Sequence, residues 1–161
     1  MRNKQIRIIL FVLVLALIIC ISSVCAFAEN TFSAQVVHPT SSVYYPTYFL
    51  LGTDYSDPTT GSHMGYGDFS IPNGTVISRY TTYLPNNSVN RSYCVKAIQA
   101  SLVKIYVYHT SMNCNPGAVD SIFGSQTDTA VRNFQSAVSI TVDGYVGNDT
   151  WYQLQEHTFN Q

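Results

Sequence analysis

The stretch "VDSIFGSQTDTAVRNFQ" (Val119–Gln135) is followed by "VDGYVGNDTWYQL" (Val142–Leu154), and the two share a skeleton. Each has a valine, then an aspartate, a glycine four places later and a threonine three places after that, so that Asp120, Gly124 and Thr127 return as Asp143, Gly147 and Thr150. Ala130, Val131, Phe134 and Val138 repeat at helical spacing after the first glycine, and Trp151 and Leu154 do so after the second. The unit that recurs is therefore a glycine turn leading into a helix. Asp120 and Asp143 suit backbone amides in the turns, and Gly124 and Gly147 suit conformations closed to other residues. Ser125, with Asp128 three residues on, is expected to cap the first of these helices, and Asn148 the second. Phe123, Phe134, Val146 and Trp151 are expected in one core.

Upstream, Val95, Ile98, Leu102 and Ile105 are spaced by 3, 4 and 3, which lines one face of a further helix. The region before it, 29–92, is different. Proline recurs at 39, 46, 58, 72 and 85, and tyrosine stands at 44, 45, 48, 55, 66, 80 and 83. No long helix survives such punctuation. Asn73-Gly74 between short β-prone segments predicts a type I′ hairpin, so the region is read as a β-leaning small module or an irregular spacer.

The opening segment, 1–28, has the form of a secretory signal peptide. Arg2, Lys4 and Arg7 precede an uncharged run from Ile8 to Ile21, and Ala26-Phe27-Ala28 offers a cleavage site. The run is shorter than the roughly 20 residues of a spanning helix, so no stable membrane span is expected after cleavage. Ile19 and Val24, ahead of Cys20 and Cys25, do not suit lipidation. The chain from Glu29 carries five Lys and Arg against nine Asp and Glu, a net charge of −4, which argues against nucleic acid as a partner. It also keeps two cysteines, Cys94 and Cys114, for which export would permit a disulfide.

The doubled motif resembles the small three-helix peptidoglycan-binding domains attached to many bacterial wall enzymes. Ile98-Gln99, Asp120, Phe123-Gly124, Thr127, Ala130-Val131 and Phe134-Gln135 fall in register with that family, as do Val142-Asp143-Gly144, Val146-Gly147, Thr150-Trp151 and Leu154. Two departures stand out. Ser121 replaces a glycine, suggesting a different turn geometry, and the segment containing "YVYHTSMNCNPG" is longer than usual.

The resemblance implies an all-α, three-helix domain over 93–161 and a Cys94–Cys114 bond. It implies peptidoglycan as partner, through its glycan strand or stem peptide, with Tyr145, Asn148 and Arg132 as candidate contacts. The expected protein is secreted, bacterial, non-catalytic and without metal or cofactor, resident outside the cell or in its wall.

The alternative is a wall hydrolase, or a subunit that delivers one. "HMGYGDFSIPNGTVIS" (His63–Ser78) faintly resembles part of the lysostaphin-type zinc endopeptidases, but His63 and Asp68 are five residues apart where those enzymes have four, and no His-x-His follows. A catalytic zinc ordinarily takes three protein ligands.

Overall fold

The structure, a computed structural model, describes residues 44–85 and 89–160. The segment expected to be a signal peptide, with Cys20 and Cys25, lies outside the described residues. The elements are β1 (Tyr48–Gly52), β2 (Tyr55–Ser56), β3 (His63–Met64), β4 (Asp68–Pro72), β5 (Val76–Ile77), β6 (Thr82–Tyr83), α1 (Arg91–Tyr108), a 3-10 turn (Thr110–Met112), α2 (Ser125–Ala137) and α3 (Asn148–Phe159).

The three expected helices are present in the C-terminal region and the strands lie in the region read as β-leaning, so the described residues together are α+β and only the C-terminal part is all-α. β1 and β4 pair antiparallel, with Phe49 opposite Ile71 and Leu51 opposite Phe69. Period-two alternation turns these four side chains to one face, where they join Val95, Ile98, Leu102, Ile105, Phe123, Phe134, Val146, Trp151 and Leu154 in one buried cluster. Burying each of the four strand residues contributes roughly 1.5–3 kcal/mol, a sum comparable with the whole net stability of an ordinary domain, about 5–15 kcal/mol. The strand layer is thus part of the helical core. All the described residues fall in one compact unit.

Side chains from the helices also close the edges of the β1–β4 ribbon. Gln155 Oε1 accepts from Leu50 N–H at 2.8 Å, and Tyr93 OH accepts from Ser70 N–H at 3.0 Å. Lys104 Nζ donates to the carbonyls of Gly52 and Thr158, joining α1 to the ends of β1 and α3. A two-stranded ribbon is marginal alone; this one is clamped on both edges.

The Asn73-Gly74 expectation is corrected. β4 pairs with β1, and β5 pairs with β6, so the dipeptide joins two ribbons. Only Gly74 of the pair has positive φ, 85°, and Thr75 N–H returns to Pro72 O at 3.2 Å. That is the pattern of a type II turn, not I′. The two caps are corrected as well. Gly124 and Gly147 occupy the cap positions in extended conformation with no side-chain bond, which makes Ser125 and Asn148 the first helical residues. The side-chain cap lies on α1, where Asn90 Oδ1 accepts from Tyr93 N–H at 2.8 Å.

Candidate functional site

Each repeat is organised around a buried glutamine. Gln135, on α2, extends Nε2 to Asp143 Oδ1 (3.1 Å), Tyr145 O (2.9 Å) and Thr150 Oγ1 (3.1 Å), while its Oε1 accepts from the N–H groups of Asp143 (3.2 Å) and Gly144 (2.9 Å). Gln99, on α1, does the same one repeat earlier. Its Nε2 meets Asp120 Oδ1 (2.9 Å), Ile122 O (3.1 Å) and Thr127 Oγ1 (3.1 Å), and its Oε1 accepts from Ser121 N–H (2.9 Å). The aspartates close their own turns, Asp120 taking Ile122 N–H at 2.9 Å and Asp143 taking Tyr145 N–H at 2.8 Å. Buried amides satisfied at both ends fix a loop far better than apolar contact could. The Gln99 amide, followed by the Ile122 N–H, holds the Asp120 carboxyl below its ordinary value.

The two turns share one backbone geometry despite the Ser121 replacement: φ is 66° at Ser121 and 73° at Gly144. The serine adopts the left-handed conformation that glycine takes at lower cost. At Gly144 an added Cβ would lie 2.6 Å from Arg132 Nη2 and 2.7 Å from Asp128 Oδ1, so the Arg132 side chain lies across this glycine.

That places the candidate contacts. Arg132 Nε pairs with Asp128 Oδ2 at 3.0 Å and keeps its side chain 43% exposed. Tyr145 follows Gly144 directly and is half-buried. Arg132 and the Tyr145 turn are therefore brought together. Asn148 is directed elsewhere: its Oδ1 accepts from Gly74 N–H at 2.9 Å, a contact with the strand layer. Beside it, Ile77 and Val146 exchange backbone bonds of 3.2 and 2.8 Å. Trp151 is fully buried and donates to Thr75 O.

The cysteines are not bonded. Both are buried free thiols, and the Cys114 thiol faces Leu102 O at 3.8 Å. Leu102 lies eight residues beyond Cys94 on α1, about 12 Å along the axis at 1.5 Å per residue. A disulfide needs Cα atoms within roughly 7 Å. Burial pushes both thiols up to about 11, despite the opposing effect of the Arg91 guanidinium on Cys94.

His63 and Asp68 lie on strands of different ribbons, both exposed, and His63 Nδ1 is 3.4 Å from Ser56 Oγ. Among the described residues no group of three or more His, Cys, Asp or Glu side chains gathers as a metal site.

Two glutamines holding two matched turns onto helices fall within one recognisable segment. Residues 92–154 match the family described as "Putative peptidoglycan binding domain". The matched segment takes in all of the Gln–Asp–Thr frame, while the strands that share its core precede it. No curated protein and no solved structure matches the chain. No helix among the described residues is long and apolar enough to cross a membrane.

The roles of Gln99 and Gln135 went unassigned in the sequence reading. Their signal was a repeated one: a glutamine directly after a core residue on each of two helices, Ile98-Gln99 and Phe134-Gln135.

Proposed function

We propose that the protein is a secreted, non-catalytic component of the bacterial cell wall, released after Ala28, that holds peptidoglycan through 93–161 with the strand layer as structural support. The observation that carries this reading is the family match over 92–154, and the intact pair of Gln–Asp–Thr turns supports it. The contact surface in this reading centres on Arg132 and Tyr145. The guanidinium, anchored by Asp128 through Nε, keeps its Nη donors for a stem-peptide carboxylate, the geometry in which arginine recognises such groups. Tyr145 supplies an aromatic edge beside it. Asn148, occupied with Gly74, enters as the residue that fixes this turn rather than as a direct contact. A companion wall hydrolase is compatible with such a role, since a binding protein can deliver an enzyme carried on another chain.

The test is co-sedimentation of the chain from Glu29 with insoluble peptidoglycan. The protein is expected in the pellet, and Arg132→Gln is expected to shift most of it to the supernatant with at most a small change in melting temperature, since the exposed pair with Asp128 is worth little. A wild-type chain that stays in the supernatant overturns the reading. Zymography with and without zinc addresses the hydrolase alternative, and clearing abolished by His63→Ala would replace the proposal with it.

A further inference from the structure

The long segment that departs from the family pattern builds one wall of a second surface feature. Between it and α2 runs an open groove of about 280 Å³, near the lower end of ligand-site sizes and suited to a single small ring rather than an extended ligand. Its walls are Asn113 and Asn115 from the segment and Ser125, Gln126, Thr129 and Asn133 from α2, with Ala130 at its base. All six polar residues are uncharged. Four end in carboxamides, which both donate and accept, and two in hydroxyls.

The wall is held in place. Asn133 Nδ2 donates to Asn113 O at 2.8 Å, tying the segment to α2. Gly117 N–H donates to Asn115 Oδ1 at 2.9 Å, and the Gln126 side chain covers Gly117, where an added Cβ would meet it at 2.7 Å. Asn113 adopts the left-handed conformation, φ 51°, directly before the buried Cys114. A groove fixed in this way loses little conformational freedom on binding.

We propose that this groove is a saccharide subsite for an N-acetylated amino sugar. The inference rests on the peptidoglycan reading and names the part of the polymer that the groove takes. A ring bearing hydroxyls and one acetamide presents donors and acceptors without charge, which matches a lining of carboxamides and hydroxyls. A carboxylate or phosphate would find no cation in this lining, so the stem peptide belongs at Arg132. At 100° per residue Arg132 lies roughly 90° around α2 from the middle of the groove-facing residues, so one wall fragment can reach from the groove to the guanidinium. The missing aromatic platform makes a single sugar a weak ligand; the polymer, with many repeats, compensates by multivalency.

The experiment is a nuclear magnetic resonance titration of the isotopically labelled chain from Glu29. The probes are triacetylchitotriose, its fully deacetylated counterpart, and the N-acetylglucosamine–N-acetylmuramic acid disaccharide without stem peptide. Both acetylated sugars are expected to shift the side-chain amides of Asn113, Asn115, Gln126 and Asn133, and the deacetylated sugar to bind at least tenfold more weakly. Thr129→Arg, at an exposed position, fills the groove and is expected to abolish the shifts. The subsite is overturned if neither acetylated sugar shifts these amides, if deacetylation changes nothing, or if folded Thr129→Arg binds as the wild type does. Should that variant fail to fold, the wild-type titration decides alone. Co-sedimentation separates the two levels: retention on peptidoglycan without groove shifts removes the subsite only, and loss of both removes the wall reading as well.

Discussion

The indole Nε1 of Trp151 donates a 2.9 Å hydrogen bond to the carbonyl oxygen of Thr75, across 76 positions of sequence. It joins α3 to the turn between β4 and β5, next to the Gly74–Asn148 bond and the Ile77–Val146 bridge. Three contacts in one place thus tie the second repeat to the strand layer. Trp151→Phe removes the donor, leaves a buried carbonyl unpaired and shrinks a side chain that is 0% exposed. It is expected to lower the unfolding free energy by about 2–3 kcal/mol, read as a shift of the urea midpoint at unchanged slope. Trp151 is the sole tryptophan, so the variant is followed by circular dichroism. A midpoint within error of the wild type would mean the strand layer is not coupled to α3 as described.

Gln99 and Asp120 make a second relationship that can be measured twice over. Gln99→Leu keeps the volume roughly constant but strands the groups that Gln99 serves, and a buried group left unpaired costs about 1–3 kcal/mol. The variant is expected to lose about 3 kcal/mol. It also withdraws the principal cause of the lowered Asp120 carboxyl, so that carboxyl is expected to titrate closer to 3.8. The sign follows from the direction: a carboxyl held low in the folded state stabilises the fold above its unfolded value, and that contribution disappears as pH falls below about 3.8 through the folded value. Carbon-detected titration of Asp120 in both proteins checks it; identical curves would assign the effect to the Ile122 amide instead.

The helices were legible because their inward faces recur at 3 and 4, and the turn aspartates because an Asx turn is local, reaching only to residue i+2. Neither statement needs the rest of the chain. The strands were not, since Phe49 meets Ile71 through a pairing remote in sequence, and no periodicity within one short strand announces such a partner. Asn148 looked like a cap because asparagine before a helix usually is one; its real partner, Gly74, is 74 positions away. Gln99 and Gln135 were hidden for a different reason. Glutamine on an apolar face reads as a surface residue, and only the gathered donors and acceptors of a folded turn make its burial favourable. Of the three candidate contacts, Arg132 lies across Gly144, the residue before Tyr145, while Asn148 is bonded to Gly74.

The cysteines give a prediction in which the two possible states differ in kind. With buried thiols raised to about 11, the native chain from Glu29 is expected to resist alkylation at pH 8, and both thiols are expected to react after unfolding in non-reducing denaturant. Because the folded state prefers the protonated thiols, their contribution is intact below the unfolded thiol range and falls away as pH rises from about 9 toward 11. Stability measured across that interval should therefore decline, and Cys94→Ala should flatten part of the decline. A denatured, unreduced chain with no reactive thiol would demonstrate the disulfide that the helix geometry opposes.

Ser121 and Gly144 occupy equivalent left-handed positions in the two repeats, so one substitution at each tests whether the turns are equivalent in energy as well as in shape. Ser121→Gly relieves a conformation that costs an L-residue roughly 1–2 kcal/mol, offset in part by the greater freedom of glycine in the unfolded chain. It is expected to stabilise by about 0.5 kcal/mol. Gly144→Ala meets the same backbone cost and adds a collision with Arg132 and Asp128, whose atoms lie within 2.8 Å of the new Cβ. Arg132 must move, so a loss of about 2 kcal/mol is expected, together with weaker retention on peptidoglycan if the guanidinium is the contact. Denaturant midpoints of the two variants decide the energetic half, and co-sedimentation of folded Gly144→Ala decides the other. Opposite signs for the two substitutions are required; destabilisation by Ser121→Gly would show that the first turn depends on its serine.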